Sequence, residues 1–314
     1  MIEESEWVAA TIEAFFNLGI KTLYAGYRKA RRLIPLRGER PELIRHLFLD
    51  SGDFLFHPSS NWSPADGQVN PPPAQEGYPH DISALWSFEP FLPDRTQLKD
   101  SLLFPGKLTP TTRLVCSGSP KSNRFTRQYL PSFAVTADIP KPQYPNAISP
   151  ERLTYLFGED LVAPKIQVVS MMHKGTLQGK TRKVIWRWHR GSLIPWSPAE
   201  YEKDGMLYKG FLLVSRLPRT KAGADILAFA GGHGAGTQAV SLLLAKLPFG
   251  ELKALADVIG DKPYFQFVLE VSGLRHEASG TIPTKVEISS ALPPVALENL
   301  TTRDLGSAAK QEKK

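Results

Sequence analysis

The chain reads as an α/β protein: a Rossmann-like layered sheet with an antiparallel strand insertion, preceded by an amphipathic helix. Three observations carry that reading. Uniformly apolar runs such as 226–230 have the character of parallel strands covered on both faces. Two such runs, 113–117 and 225–230, break into turns of small residues that open a helix at once. Ahead of them, over 7–27, apolar residues recur at helical spacing.

In that first helix Trp7, Val8, Ile12, Phe15, Phe16, Ile20, Leu23 and Tyr27 share one side, opposite Glu13, Asn17, Lys21 and Arg28. Arg28, Lys29, Arg31 and Arg32 follow it, a charge placement suited to a helix C-terminus ahead of Pro35. Residues 1–49 are therefore expected to form a helical arm, with 7–27 meeting a protein partner or a second copy of the chain. A membrane surface or nucleic acid are the other uses of its basic end.

Residues 50–112 are rich in Pro, Ser, Asp and Gly, including Pro71-Pro72-Pro73, and read as an irregular connecting region. The α/β domain spans 113–300. Its expected strands are 113–117, 165–172, 182–189, 206–216, 225–230, 265–271 and 284–290, and its expected helices 122–131, 150–157 and 237–247. The three strands within 165–216 have short connections and are read as an antiparallel insertion. Residues 301–314 are expected to be a flexible tail.

Bulk composition narrows the class. In 314 residues, 38 Lys and Arg against 31 Asp and Glu give +7, a mild surplus compatible with an anionic ligand, nucleic acid or a membrane surface. Cys116 is the only cysteine, which excludes an intramolecular disulfide, a Cys-rich zinc site and an iron–sulfur cluster, and fits a cytoplasmic setting. The acidic opening, Glu3, Glu4 and Glu6, does not resemble a secretion signal. Glu13, Asn17 and Lys21 interrupt 7–27, so no transmembrane segment is expected.

The two strand-to-helix turns are the candidate site. In the second, Gly231, Gly232, Gly234 and Gly236 permit tight turns and close approach, His233 lies among them, and Thr237 stands at the helix start. In the first, Ser117, Ser119 and Ser122 offer hydroxyls, Gly118 permits the turn and Asn123 offers an amide, with Lys121, Arg124 and Arg127 adding charge. Unpaired N–H groups at a helix start suit phosphate or carboxylate. The structural alternative for each turn is close helix–strand packing and ordinary capping. Glycines spaced by twos do not match the dinucleotide fingerprint, and no Lys completes a P-loop.

The pairing of Val115-Cys-Ser-Gly-Ser-Pro-Lys-Ser-Asn123 with Ala230-Gly-Gly-His-Gly-Ala-Gly-Thr237 resembles the loops of lonely-guy type phosphoribohydrolases and their Rossmann-like nucleotide-sensor relatives. The resemblance covers those two loops. It implies phosphate contact for Ser119, Gly232, Gly234, Gly236 and Thr237. Because no Glu follows Thr237, where the family's catalytic carboxylate would stand, it does not imply the family's catalysis.

No metal is expected, since the histidines lack ligand spacing, and no cofactor is expected. Neither serine loop has the G-x-S-x-G elbow, so His233 is the single catalytic candidate. Over 183–190 tryptophans alternate with basic residues, which fits either two core tryptophans or a nucleic-acid-binding strand. The expected function is thus binding or sensing of a phosphate-bearing ligand, such as a nucleotide, coupled to assembly through 7–27. The alternatives are an N-glycosidase-like hydrolase pairing His233 with Glu270 or Asp225, and a nucleic-acid or protein scaffold without a small ligand.

Overall fold

Runs rich in Leu, Val, Ile and Phe form the strands, and glycine, proline and serine punctuate them. A computed structural model describes residues 38–49, 53–59, 79–92, 98, 108–136, 139–143, 146–161, 168–169, 176–177, 181–196, 200–201, 207–277 and 280–305. The amphipathic helix expected over 7–27 lies outside them. The chain divides into two units, Met1–Glu42 and Leu43–Lys314, and everything below concerns the second.

In chain order the elements begin with α1 (Glu39–Phe48), β1 (Phe54–His57), α2 (Pro79–Trp86), β2 (Arg113–Ser117) and α3 (Arg124–Tyr129). Next come β3 (Ser132–Thr136), β4 (Ile139–Pro142), β5 (Tyr155–Leu161), β6 (Val168–Val169), β7 (Thr176–Leu177), β8 (Thr181–His189), β9 (Ser192–Trp196) and β10 (Glu200–Tyr201). The rest are β11 (Leu207–Pro218), β12 (Asp225–Gly231), α4 (Gly234–Lys246), α5 (Phe249–Ile259), β13 (Phe265–Ser272), β14 (Arg275–Glu277), β15 (Gly280–Ile282), β16 (Lys285–Ile288) and β17 (Val295–Ala296).

The main sheet runs β1-β2-β12-β11-β13-β16, with β10 on β11 and β17 on β13. β1, β2 and β12 are parallel, whereas β11 lies antiparallel between β12 and β13. The mixed α/β character holds, but the sheet is only in part the parallel layer expected. The reason lies in 207–218: its buried run Phe211-Leu-Leu-Val214 suits a central strand, so it enters the main sheet instead of an insertion. A second sheet, β4-β3-β5-β8-β9, takes β8 and β9, while β6 and β7 pair with each other. Where a helix was expected over 150–157, a 3₁₀ turn at Pro150–Arg152 passes into β5, because Tyr155, Leu156 and Phe157 are wanted in the core.

Alternation along the strands gives the main sheet two apolar faces. One, with Leu114, Cys116, Ala228, Phe211 and Leu213, meets the second sheet; Phe157 and Phe211 lie 5.9 Å apart between ring centroids. On the other, Phe229 packs against Phe88 at 5.5 Å and Phe48 at 6.3 Å. Gln266 of β13 ties the sheets together. Its amide accepts from Thr154 N and Tyr155 N and donates to Tyr155 O and Ser215 Oγ, so its buried polar groups are satisfied. Trp186 is buried in this core and Trp188 packs against it.

Two further expectations are refined. β1 lies in the stretch read as irregular and forms the parallel edge of the main sheet. Residues 301–305 are held by a Thr301–Asp304 capping box and by an Ile148–Leu305 bridge.

Candidate functional site

Parallel strands end together, so the register decides what the turns share. His57 pairs with Cys116 and Cys116 with Ala228, while Ser117 stands beside Phe229. The segments after β1, β2 and β12 therefore emerge side by side at one edge, the usual position for ligands of open α/β sheets. The N–H of Gly118 donates to Phe229 O at 2.9 Å, fastening the first turn to the second strand.

The first turn is held by its own side chains. Asn123 caps α3, accepting from Phe125 N and Thr126 N at 3.0 and 3.1 Å, and its amide donates to Ser117 O and His57 O. Ser117 Oγ donates to Asp81 O at 3.1 Å. Gly118 sits at φ +107°, a left-handed conformation, with Ser59 against its Cα. Ser117 and Asn123 thus have structural partners. Ser119 and Ser122, partly exposed with Oγ atoms 3.3 Å apart, remain at the surface of the turn, and Arg127 folds back onto the carbonyls of Pro120 and Lys121.

In the second turn the glycines answer to packing. A Cβ on Gly231 would stand 2.4 Å from Thr237 N, one on Gly232 2.6 Å from the Phe211 ring, and one on Gly236 2.2 Å from Phe211 O. A Cβ on Gly234 would instead stand 3.2 Å from the His80 ring. His233 is the N-cap of α4 but makes no side-chain capping bond. Burial, and then the Lys183 charge on β8, hold its pKa down to about 4, so it is neutral at pH 7. Lys183 is itself ion-paired with Glu159.

Four residues from the stretch read as irregular complete the edge: His57, Ser59, His80 and Asp81. His57 packs edge-on against Phe125 at 4.7 Å, and burial with the Arg124 charge lowers its pKa to about 4. Asp81, 1% exposed, lies beside the start of α4. Desolvation raises its carboxyl to about 7, against the opposing pull of the Thr237 hydroxyl and the Ser59 N–H, which both bond to it. Its Oδ1, 3.6 Å from His80 Nε2, has no hydrogen-bond partner, and neither has Ser59 Oγ. The sequence signal for His57 and Ser59 was the apolar run 54–56 ending in His57-Pro58-Ser59, a third strand breaking into a turn; His80 and Asp81 lie outside it.

The carboxylates considered for a hydrolase lie elsewhere. Asp225 starts β12, at the opposite edge, clamped by Arg216 at 2.6 Å and Arg113 at 3.5 Å. Glu270 accepts from Ser289 Oγ and pairs with Lys209. One cavity of about 510 Å³ adjoins Glu251, Glu270 and Glu287, and another of about 210 Å³ adjoins Arg113, Arg216 and Asp225; neither is lined by either loop. Among the described residues no group of three or more His, Cys, Asp or Glu could hold a metal ion, and no helix is long and apolar enough to cross a membrane. No protein-family model, curated protein or solved structure matches the chain.

Proposed function

We propose that the chain binds a phosphate-bearing small molecule, with nucleotides the first class to test, at the edge where β1, β2 and β12 end. The observation that carries this reading is the in-register parallel pairing of β2 with β12, which brings Ser119 and Ser122 to the same edge as the start of α4. That helix start offers N–H donors and a positive dipole end, and Lys121 and Arg124 add charge beside the first turn. The tightly packed glycines favour the backbone being held in place before any ligand arrives, which lowers the entropy lost on binding.

A panel of nucleoside mono-, di- and triphosphates should raise the melting temperature. Gly234→Val, which crowds the His80 ring, should remove the shift, and Ser119→Ala with Ser122→Ala should weaken it. A flat response across the panel would refute the reading. A cytoplasmic ligand sensor also needs an output, and 7–27 is the proposed route to an oligomer or partner. Phe15→Glu with Phe16→Glu, followed by light scattering with and without ligand, tests it.

A hydrolase is the second reading, and Asp81 favours it, since it supplies beside Thr237 the carboxylate that the loops lack. Release of base or phosphate that disappears in Asp81→Asn is its test.

A further inference from the structure

Among the described residues, two of the buried polar atoms without a hydrogen-bond partner lie at this edge: Ser59 Oγ and Asp81 Oδ1, in residues 0% and 1% exposed, with His80 Nε2 3.6 Å from the latter. Buried oxygens left in that condition are rare in native proteins, where more than about nine in ten find a donor or acceptor. The two belong to one construction. Asp81 accepts from the Ser59 N–H and from the Thr237 hydroxyl in the first turn of α4, and Ser59 packs directly against Gly118 of the first turn.

Both atoms therefore lie beside the proposed anion site, and what they lack is a small group that both donates and accepts. A second phosphate fits these two oxygens poorly, because Asp81 repels it once ionised, above about pH 7. A hydroxyl fits, donating to Asp81 Oδ1 and accepting from the Ser59 hydroxyl.

Resting on the phosphate reading above, we propose that Ser59 and Asp81 form a hydroxyl subsite, so that the ligand is the phosphate ester of a sugar. The phosphate lies at the start of α4, and a sugar hydroxyl buried on binding completes the two oxygens, taking the place an internal water could hold. Ser59 and Asp81 then set selectivity while the helix start sets charge preference.

The test compares ribose 5-phosphate with ethyl phosphate, which keeps the ester and its charge but has no hydroxyl, using calorimetry on the full chain at pH 8. The wild type should prefer ribose 5-phosphate by about tenfold or more. Ser59→Ala should reduce that preference to within about twofold and leave ethyl phosphate binding unchanged. Because Ser59 Oγ holds nothing in the protein, this variant should fold with an unchanged melting temperature. Asp81→Asn provides a second, near-isosteric check and should also lose the preference.

Equal binding of the two esters by the wild type overturns the hydroxyl subsite and leaves the phosphate reading standing. A preference retained by both variants overturns it as well. Binding of neither ester overturns the hydroxyl subsite, and the phosphate reading then falls only if the nucleotide panel is flat as well.

Discussion

The two edges of the parallel strands each bury a carboxyl group, and they treat it in opposite ways. At the amino edge Asp225 lies between two guanidiniums, so its charge is answered within the protein. At the carboxyl edge Asp81 receives a hydroxyl and an N–H, and its second oxygen, 3.6 Å from His80 Nε2, has no hydrogen-bond partner. Three other carboxylates among the described residues, Asp225, Glu159 and Glu270, are each paired with Arg or Lys. The incomplete one stands where three strands end and a long helix begins.

The largest expected effect breaks the paired edge. Asp225→Asn leaves Arg216, 6% exposed, without its counter-charge, and should cost about 3–5 kcal/mol in urea unfolding. Gly236→Ala should cost about 3 kcal/mol, because the new methyl meets a backbone carbonyl that cannot swing aside. A loss below about 1 kcal/mol would show that this glycine is not demanded by packing.

A smaller effect is a change in pH trend. Burial keeps Asp81 protonated to about pH 7, whereas a free carboxyl ionises near 3.8, so the native state holds the extra proton and stability falls as pH rises between those values. His57 and His233 act oppositely: lowered from 6.5 to about 4 in the native state, they make stability rise from about pH 4 to 6.5. Asp81→Asn deletes only the falling component. The melting temperature at pH 7.5 minus that at pH 5 should become more positive than in the wild type; an unchanged difference would mean that Asp81 is ionised in the native protein. The smallest effect is Ser117→Ala, which removes one buried hydrogen bond to Asp81 O and should cost about 1 kcal/mol by the same unfolding measurement.

Much of the candidate edge was legible from residue pattern. The strands at 113–117 and 225–230 and the helix after Gly234 were visible because their apolar runs are local signals. β1 was not, since four residues surrounded by proline and serine give too short a run to stand out. Asp81 could not be recognised either. Its environment is made by Ser59 and Thr237, one far away in the chain, and no spacing rule links them. The helix misread over 150–157 has the same origin: Tyr155 to Phe157 suit either structure locally, and pairing with β8 decides for the strand.

By itself the amino-acid order determined that this chain is a mixed α/β protein with two strand-to-helix turns, because side-chain period and turn chemistry act over a few residues. The tertiary structure alone decided that these turns share an edge, that 207–218 runs antiparallel through the sheet's middle, and that Asp81 is buried beside α4. Strand order, register and desolvation come from contacts between distant segments, and it is desolvation that turns an ordinary aspartate into the least satisfied carboxyl described at that edge.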